Sequence, residues 1–195
     1  MDISTAIKKR RSIREYKKRK VPKRLLNRIL ESARWAPSLH NMQPWEFIIL
    51  AKKMQKKLVG VLKKAQNKEP FLIRLTLKNS INVIEKAPVV ILAYSNGVLS
   101  NKVKKGGRLY SDYLNAAATF EAQSVACAIQ NMLLTAHSVG LGSTWFGIPI
   151  FSEKAVNRLF GLDYKLMAIL TFGYPKNTPE PPRRRPLKEI VSLRK

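Results

Sequence analysis

Residues 112–138 limit the possible folds more than any other stretch. Leu114, Ala117, Ala118, Val125, Ala126, Ile129, Met132, Leu133 and Ala136 recur there at helical spacing. After Asp112 the stretch holds one acid, Glu121, and no Lys or Arg. A helix that is apolar nearly all round is expected to be buried nearly all round. In a chain of 195 residues this makes it the central core helix, a subunit interface, or both. Its many alanines allow close helix approach, so a homodimer interface is expected on it.

The remaining elements must pack around that helix. Residues 3–11 read as a short helix with Ile3, Ala6 and Ile7 on one face. Val21-Pro22 opens the next, with Leu25, Leu26, Ile29, Leu30 and Ala33 as a buried stripe and Pro37 as its stop. Residues 52–66, 71–85 and 152–160 repeat the helical pattern. Trp45–Leu50, Pro88–Tyr94 and Leu166–Phe172 read as apolar strands. The first of these has the composition of a strand central in its sheet. Residues 96–109, with Gly97, Gly106, Gly107 and several lysines, read as a long loop, and Ser143–Pro149 as a turn. From Pro175 the chain is proline-rich and extended, and Leu187–Leu193 alternates weakly, as an edge strand would. There are no internal repeats. The expectation is one α+β domain over 1–195, with 175–195 an extended C-terminal arm. Its core is a sheet of four to five strands in two or three layers with the helices.

Charge is the second constraint. Lys and Arg total 37 against 12 Asp and Glu, a formal net charge of +25. Ion-pair networks of the thermophile kind need acids as well, so they account for only part of this excess. A polyanion or nucleic-acid partner is therefore one reading to weigh. No run approaches the roughly 18 apolar residues of a membrane span. Met1-Asp2 leads almost directly into basic residues, unlike a signal peptide, and the single Cys127 forbids an internal disulfide. A cytoplasmic location without membrane insertion is expected. Two histidines and one cysteine are too few for a typical zinc site.

Two segments carry possible chemistry. Lys8–Lys20 holds nine basic residues among thirteen. It is either a solvated basic strip or, through Arg10, Arg11, Ser12 and Arg14, a phosphate site. Ser38–Trp45 is a polar loop between Pro37 and Pro44, with Ser, His, Asn and Gln all able to hydrogen-bond. It is either a plain connection or a binding loop.

Taken together, Arg10-Arg11-Ser12-Ile13-Arg14, then Ala36-Pro37-Ser38 with Asn41 and Gln43-Pro44-Trp45, then Gly140–Gly147, then Gly173-Tyr174-Pro175 and a late basic cluster stand in an order that resembles the FMN-dependent nitroreductase family. The resemblance runs from about Ile3 to Val191. It implies a nitroreductase-like fold, with a central, mainly antiparallel four- to five-stranded sheet flanked by helices, and an obligate homodimer with FMN at the interface. It also implies a long interface helix and a C-terminal tail exchanged onto the partner. Arg10 and Ser12 would hold the FMN phosphate, with Arg11 nearby, joined by Arg183 and Arg185 from the tail. Arg14 would lie at the pyrimidine edge of the flavin, where a fixed cation favours the reduced form. Pro37, Ser38, Leu39 and Asn41 would reach the flavin of the other subunit. Trp145, Phe146, Gly147 and Ile148 would pack on the ring, with the Gly147 N–H as the candidate donor to N5.

The implied activity is transfer of hydride from NAD(P)H through flavin N5 to a small electron acceptor such as a nitroaromatic or quinone, by ping-pong kinetics. No catalytic side chain is required, because the cofactor carries the chemistry. His40, Cys127 and His137 read as structural or packing residues. Two departures stand out. A polar pair that contacts the flavin in some relatives does not align cleanly, leaving Asn79 and Asn82 as candidates. Where some relatives carry an acid beside the flavin, this chain has Gly147. Other readings are a nucleic-acid-binding protein on the same fold, or FMN chemistry of another kind: ene reduction, dehalogenation or flavin handling.

Overall fold

The structure, a computed structural model, describes residues 1–106 and 113–194. Strand β1 (Trp45–Ile49) pairs with β2 (Val89–Ser95), β2 with β4 (Lys165–Gly173), and β4 with β3 (Gly142–Phe146). All pairings are antiparallel and the order is β1-β2-β4-β3. β2 and β4 are central and covered on both faces, which is why they read as unbroken apolar runs.

The pleat of β2 divides the interior in two. Ile91 and Ala93 point into one core, which they share with α2 (Lys23–Arg34) and α6 (Leu114–Ser138). Val90, Leu92 and Tyr94 point into the other, shared with α3 (Lys52–Gln66), α4 (Phe71–Lys86) and α7 (Glu153–Phe160). The result is three layers, helices on either side of one sheet. On β4 the register shifts so that Tyr94 faces Leu166 while Ala93 faces Ala168. That extra residue lets Leu166 and Ile169, of opposite parity, enter the same core.

Four expectations are corrected. β1 is an edge strand within the chain, with Ile49 44% exposed; its apolar composition reflects packing on both faces, Trp45 and Phe47 against one core and Ile48 against the other. Gly142–Phe146 is a strand, not a turn, because β4 on one side and residues 12–13 on the other supply its partners. Residues 98–105 form a helix, α5 (Val98–Lys105), where a loop was expected; residues 107–109 of that expected loop, like Asp112, lie outside the described residues. The alternation at 187–193 does not become a strand: Leu187–Glu189 is a short 3-10 turn and the arm is exposed.

The long helix behaves as expected along most of its surface but not all. Val125, Ala128, Ile129, Met132 and Ala136 are buried. Thr119, Phe120, Gln123, Cys127 and Gln130 form an exposed stripe without charge. Cys127 therefore does not pack inside this chain. Buried Glu121 carries the helix's one acid. Its Oε1 accepts from the backbone N–H groups of Leu99 and Ser100 at 2.7 and 2.9 Å. Its Oε2 accepts from the hydroxyls of Ser100 and Ser95 at 2.9 and 3.1 Å. It caps the start of α5 from a distant point in the sequence.

Candidate functional site

The basic strip begins where α1 (Ile3–Lys9) ends. Asp2 accepts from the Thr5 N–H at 2.9 Å to start that helix, and the Arg10 N–H donates to Ala6 O at 3.0 Å to close it. The chain then lies beside β3. Ile13 N–H donates to Ser143 O at 2.9 Å, Thr144 Oγ1 donates to Ile13 O, and Ser12 bridges Ser143. Ile13 is buried against Gly142, where a Cβ would stand 2.5 Å from Ile13 Cγ1. Only glycine admits that contact. With Ile13 turned inward, the alternation of an extended segment turns Ser12 and Arg14 outward. Tyr16 fixes the far end. It bridges Pro175, and its hydroxyl lies 2.8 Å from Thr171 Oγ1.

Two cavities meet on this strip. One, of about 390 Å³, is lined by Arg10, Arg11, Ser12 and Arg14 with Pro179, Glu180, Pro182 and Arg184 of the arm. The other, of about 330 Å³, is lined by Arg14, Thr76, Asn79, Ser80 and Trp145–Ile148. Arg14 belongs to both and joins a cationic end to an aromatic end. Among the described residues none of Arg10, Arg11, Arg14 and Arg184 forms an ion pair with a carboxylate. Burial, then the neighbouring Arg11 and Arg184, pull the Arg10 guanidinium's pKa below its ordinary value. Arginine does not deprotonate in response, so an anion is the natural relief. Among the described residues buried Ser143 Oγ, paired through its backbone with Ser12, has no hydrogen-bond partner, and neither has buried His137 Nε2 at the end of α6. Burial lowers the His137 pKa, and Arg10, Arg11 and Lys9 lower it further.

The polar loop lies elsewhere. The Leu39 N–H donates to Ser124 Oγ at 3.4 Å, and Ser38 Oγ accepts from the Gln43 N–H at 3.0 Å. His40, Asn41 and Gln43 all have positive φ, of 46, 53 and 48°. Such strain in non-glycine residues costs about 1 kcal/mol or more each and gathers at functional segments. His40 and Asn41 are exposed. Ser124 and His137 are separated by about 20 Å along α6. Neither of the two cavities on the arginine strip includes a residue of the loop.

The structure thus brings together Arg10, Arg11, Ser12, Arg14, Trp145, Phe146, Gly147 and Ile148. It leaves Pro37, Ser38, Leu39 and Asn41 on a separate surface of the same chain. Phe146 sends its side chain into the core, while Trp145 is 38% exposed. In the arm, Arg184 and not Arg183 or Arg185 lines the cationic cavity. Arg185 instead donates to Glu189, Nε to Oε2 at 3.3 Å and a terminal nitrogen to O at 2.6 Å. Asn79 lines the aromatic cavity with Arg14, whereas Asn82 faces a different groove. Among the described residues no group of three or more His, Cys, Asp or Glu side chains is placed to hold a metal ion.

The fold and this site define a class. The model of the nitroreductase family matches residues 7–174, and the chain belongs to that family. By family it is an oxidoreductase. A protein of Methanothermobacter thermautotrophicus provisionally named NADH dehydrogenase/NAD(P)H nitroreductase is 30% identical over 183 residues, covering 92% of this chain and 80% of that protein. An iodotyrosine deiodinase of Thermotoga neapolitana is 28% identical over 196 residues, covering 94% and 92% respectively. Among solved structures, a provisionally named nitroreductase of Desulfovibrio desulfuricans in complex with FMN superposes with a TM-score of 0.75 at 25% identity. That match covers 100% of this chain and 98% of the other.

Proposed function

We propose that this chain is an FMN-dependent NAD(P)H oxidoreductase that reduces a small acceptor such as a nitroaromatic or quinone. One observation carries the reading: Arg14 joins an unpaired arginine cluster to a cavity floored by Trp145–Ile148. That shape suits a ligand with a phosphate at one end and a flat ring at the other. Arg10, Arg11, Ser12 and Arg184, which line the cationic cavity, hold the phosphate. The hydride-transfer chemistry would be supplied by FMN held there. Arg14 places a fixed cation at the ring and favours its electron-rich form. Gly147, with open space where a Cβ would stand, leaves the ring's approach clear of side chain.

Within one chain the ring has no cover from Pro37–Asn41. The reading therefore requires a homodimer in which those residues of a second copy complete the site. The uncharged stripe on α6 supports this, as do Leu187, Ile190, Val191 and Leu193 of the arm, each more than half exposed. Both are surfaces that a second copy would cover.

The test separates phosphate from ring. Arg10→Gln is expected to weaken FMN binding by roughly 10- to 100-fold, the worth of a charge-assisted hydrogen bond. Riboflavin, which lacks the phosphate, should bind the variant and the parent alike. Equal weakening for both ligands, read by fluorescence quenching, would remove Arg10 from the phosphate site.

A further inference from the structure

The sharpest apolar feature outside the site is the start of α4. Phe71, Leu72 and Leu75 are 66, 74 and 47% exposed and lie on one helical face. The opposite face of the helix is anchored by buried Leu77, Ile81 and Ile84, so the exposed face is not frayed core. Lys63, Arg74 and Lys78 line a groove with Phe71 and Leu75, and Lys64 and Lys68 precede the helix closely in the chain; all five are exposed. Residues 60–84 contain one acid, Glu69. Lys63 is engaged by Glu85 at 3.1 Å; the other four have no ion pair among the described residues. An open groove of about 510 Å³ between α3 and α4 runs beneath the patch.

Three partners could cover an apolar tip ringed by cations. A second copy of this chain would set the same ring of cations against itself across a two-fold axis, which like-charge repulsion opposes. A nucleic acid would satisfy the cations but needs flat rings on which bases stack. Phe71 is the patch's one aromatic residue, and Arg74 already lies 5.9 Å from its ring centre. Leu72 and Leu75 offer aliphatic surface that a base or phosphate cannot use. An anionic lipid surface uses both parts, burying the aliphatic tip at the acyl boundary and holding the cations at the headgroups. No helix among the described residues is long and apolar enough to cross a membrane, so contact of this kind is peripheral.

We infer that the N-terminal turn of α4 is a docking wedge for anionic membranes. The wedge does not depend on the flavin reading, although the same helix presents Thr76, Asn79 and Ser80 to the candidate site. The experiment is co-sedimentation of the full chain with phosphatidylcholine vesicles, with and without phosphatidylglycerol. Binding is expected only with phosphatidylglycerol and should fall with added salt. Lys68→Ala and Lys78→Ala should each reduce partitioning by about fivefold. Leu72→Ser with Leu75→Ser should reduce it by on the order of tenfold or more. The far-ultraviolet spectrum and FMN uptake should stay unchanged in every variant. Failure to bind phosphatidylglycerol vesicles overturns the proposal. So does binding that the leucine substitutions leave intact, which would mark a purely electrostatic polyanion surface. A change in oligomeric state on substituting Leu72 and Leu75 would assign the patch to a second copy and likewise overturn it.

Discussion

Gly142 and Ile13 show how a single contact positions a site. The strip carrying Arg10–Arg14 has no helix or sheet of its own; it is held by β3, and Ile13 can seat there only because Gly142 has no Cβ. Gly142→Ala is expected to cost about 1–3 kcal/mol through overpacking. It should lower the melting temperature and weaken FMN binding together. Because the two side chains touch, combining it with Ile13→Ala should cost less than the two separate costs added, read by thermal melts of the double-mutant cycle. His137 makes a second prediction at this scale. Its pKa is held below the ordinary value by burial first, then by Arg10, Arg11 and Lys9. The native state therefore binds fewer protons at that ring than the unfolded chain. The resulting stability is present above the ordinary histidine range and is lost as pH falls through it. Melts taken from neutral to mildly acid pH should show this loss, and His137→Gln should flatten it. An unchanged slope in the variant would remove His137 as its source.

Elements with internal periodicity were legible in the sequence, and those made by their neighbours were not. α2, α3, α4 and the central strands β2 and β4 follow directly from apolar spacing, since each buries a regular stripe or a whole run. β3 is short and begins at a glycine, so only its pairings reveal it. α5 is lysine-rich and starts at Gly97 with φ of 70°. Its first free N–H groups are met by Glu121, more than twenty residues on, and no local pattern could announce that. Glu121→Ala leaves two backbone N–H groups and two serine hydroxyls without their acceptor. A loss of about 1–3 kcal/mol is expected, with hydrogen exchange rising first in α5 and little change in α2. Uniform loss of protection across the chain would mean that Glu121 supports the whole fold and not this helix. At the site, the resemblance named Arg10, Ser12, Arg14 and Trp145–Ile148, which line the two adjoining cavities, and Arg183 and Arg185, whereas Arg184 lines the cationic one. An extended proline-rich arm has no periodicity from which to read side-chain direction. Asn79 was likewise undecided against Asn82 until α4 fixed which side of the helix each occupies.

At the scale of the molecule, the two halves of the expected site lie apart in one chain. The arginine strip is at the C-terminal end of α6 and the strained Pro37–Gln43 loop sits near its middle. The stripe between them is exposed and uncharged, on a protein whose formal net charge is +25. A helix face kept free of charge on so basic a surface is what an interface between copies requires. That arrangement accounts for a long helix that is only partly buried within its own chain. In the proposed homodimer the strained loop would complete the site of the other copy, a role it cannot perform alone. The central claim is that the completed site binds FMN and passes electrons through it. The most direct test is the visible spectrum of the FMN-loaded protein under anaerobic conditions, recorded before and after adding NADH or NADPH and again after a quinone or nitroaromatic. The account predicts a yellow protein that bleaches with the nicotinamide and recovers its colour with the acceptor. A protein that takes up no FMN, or whose bound FMN neither nicotinamide can bleach, would contradict it.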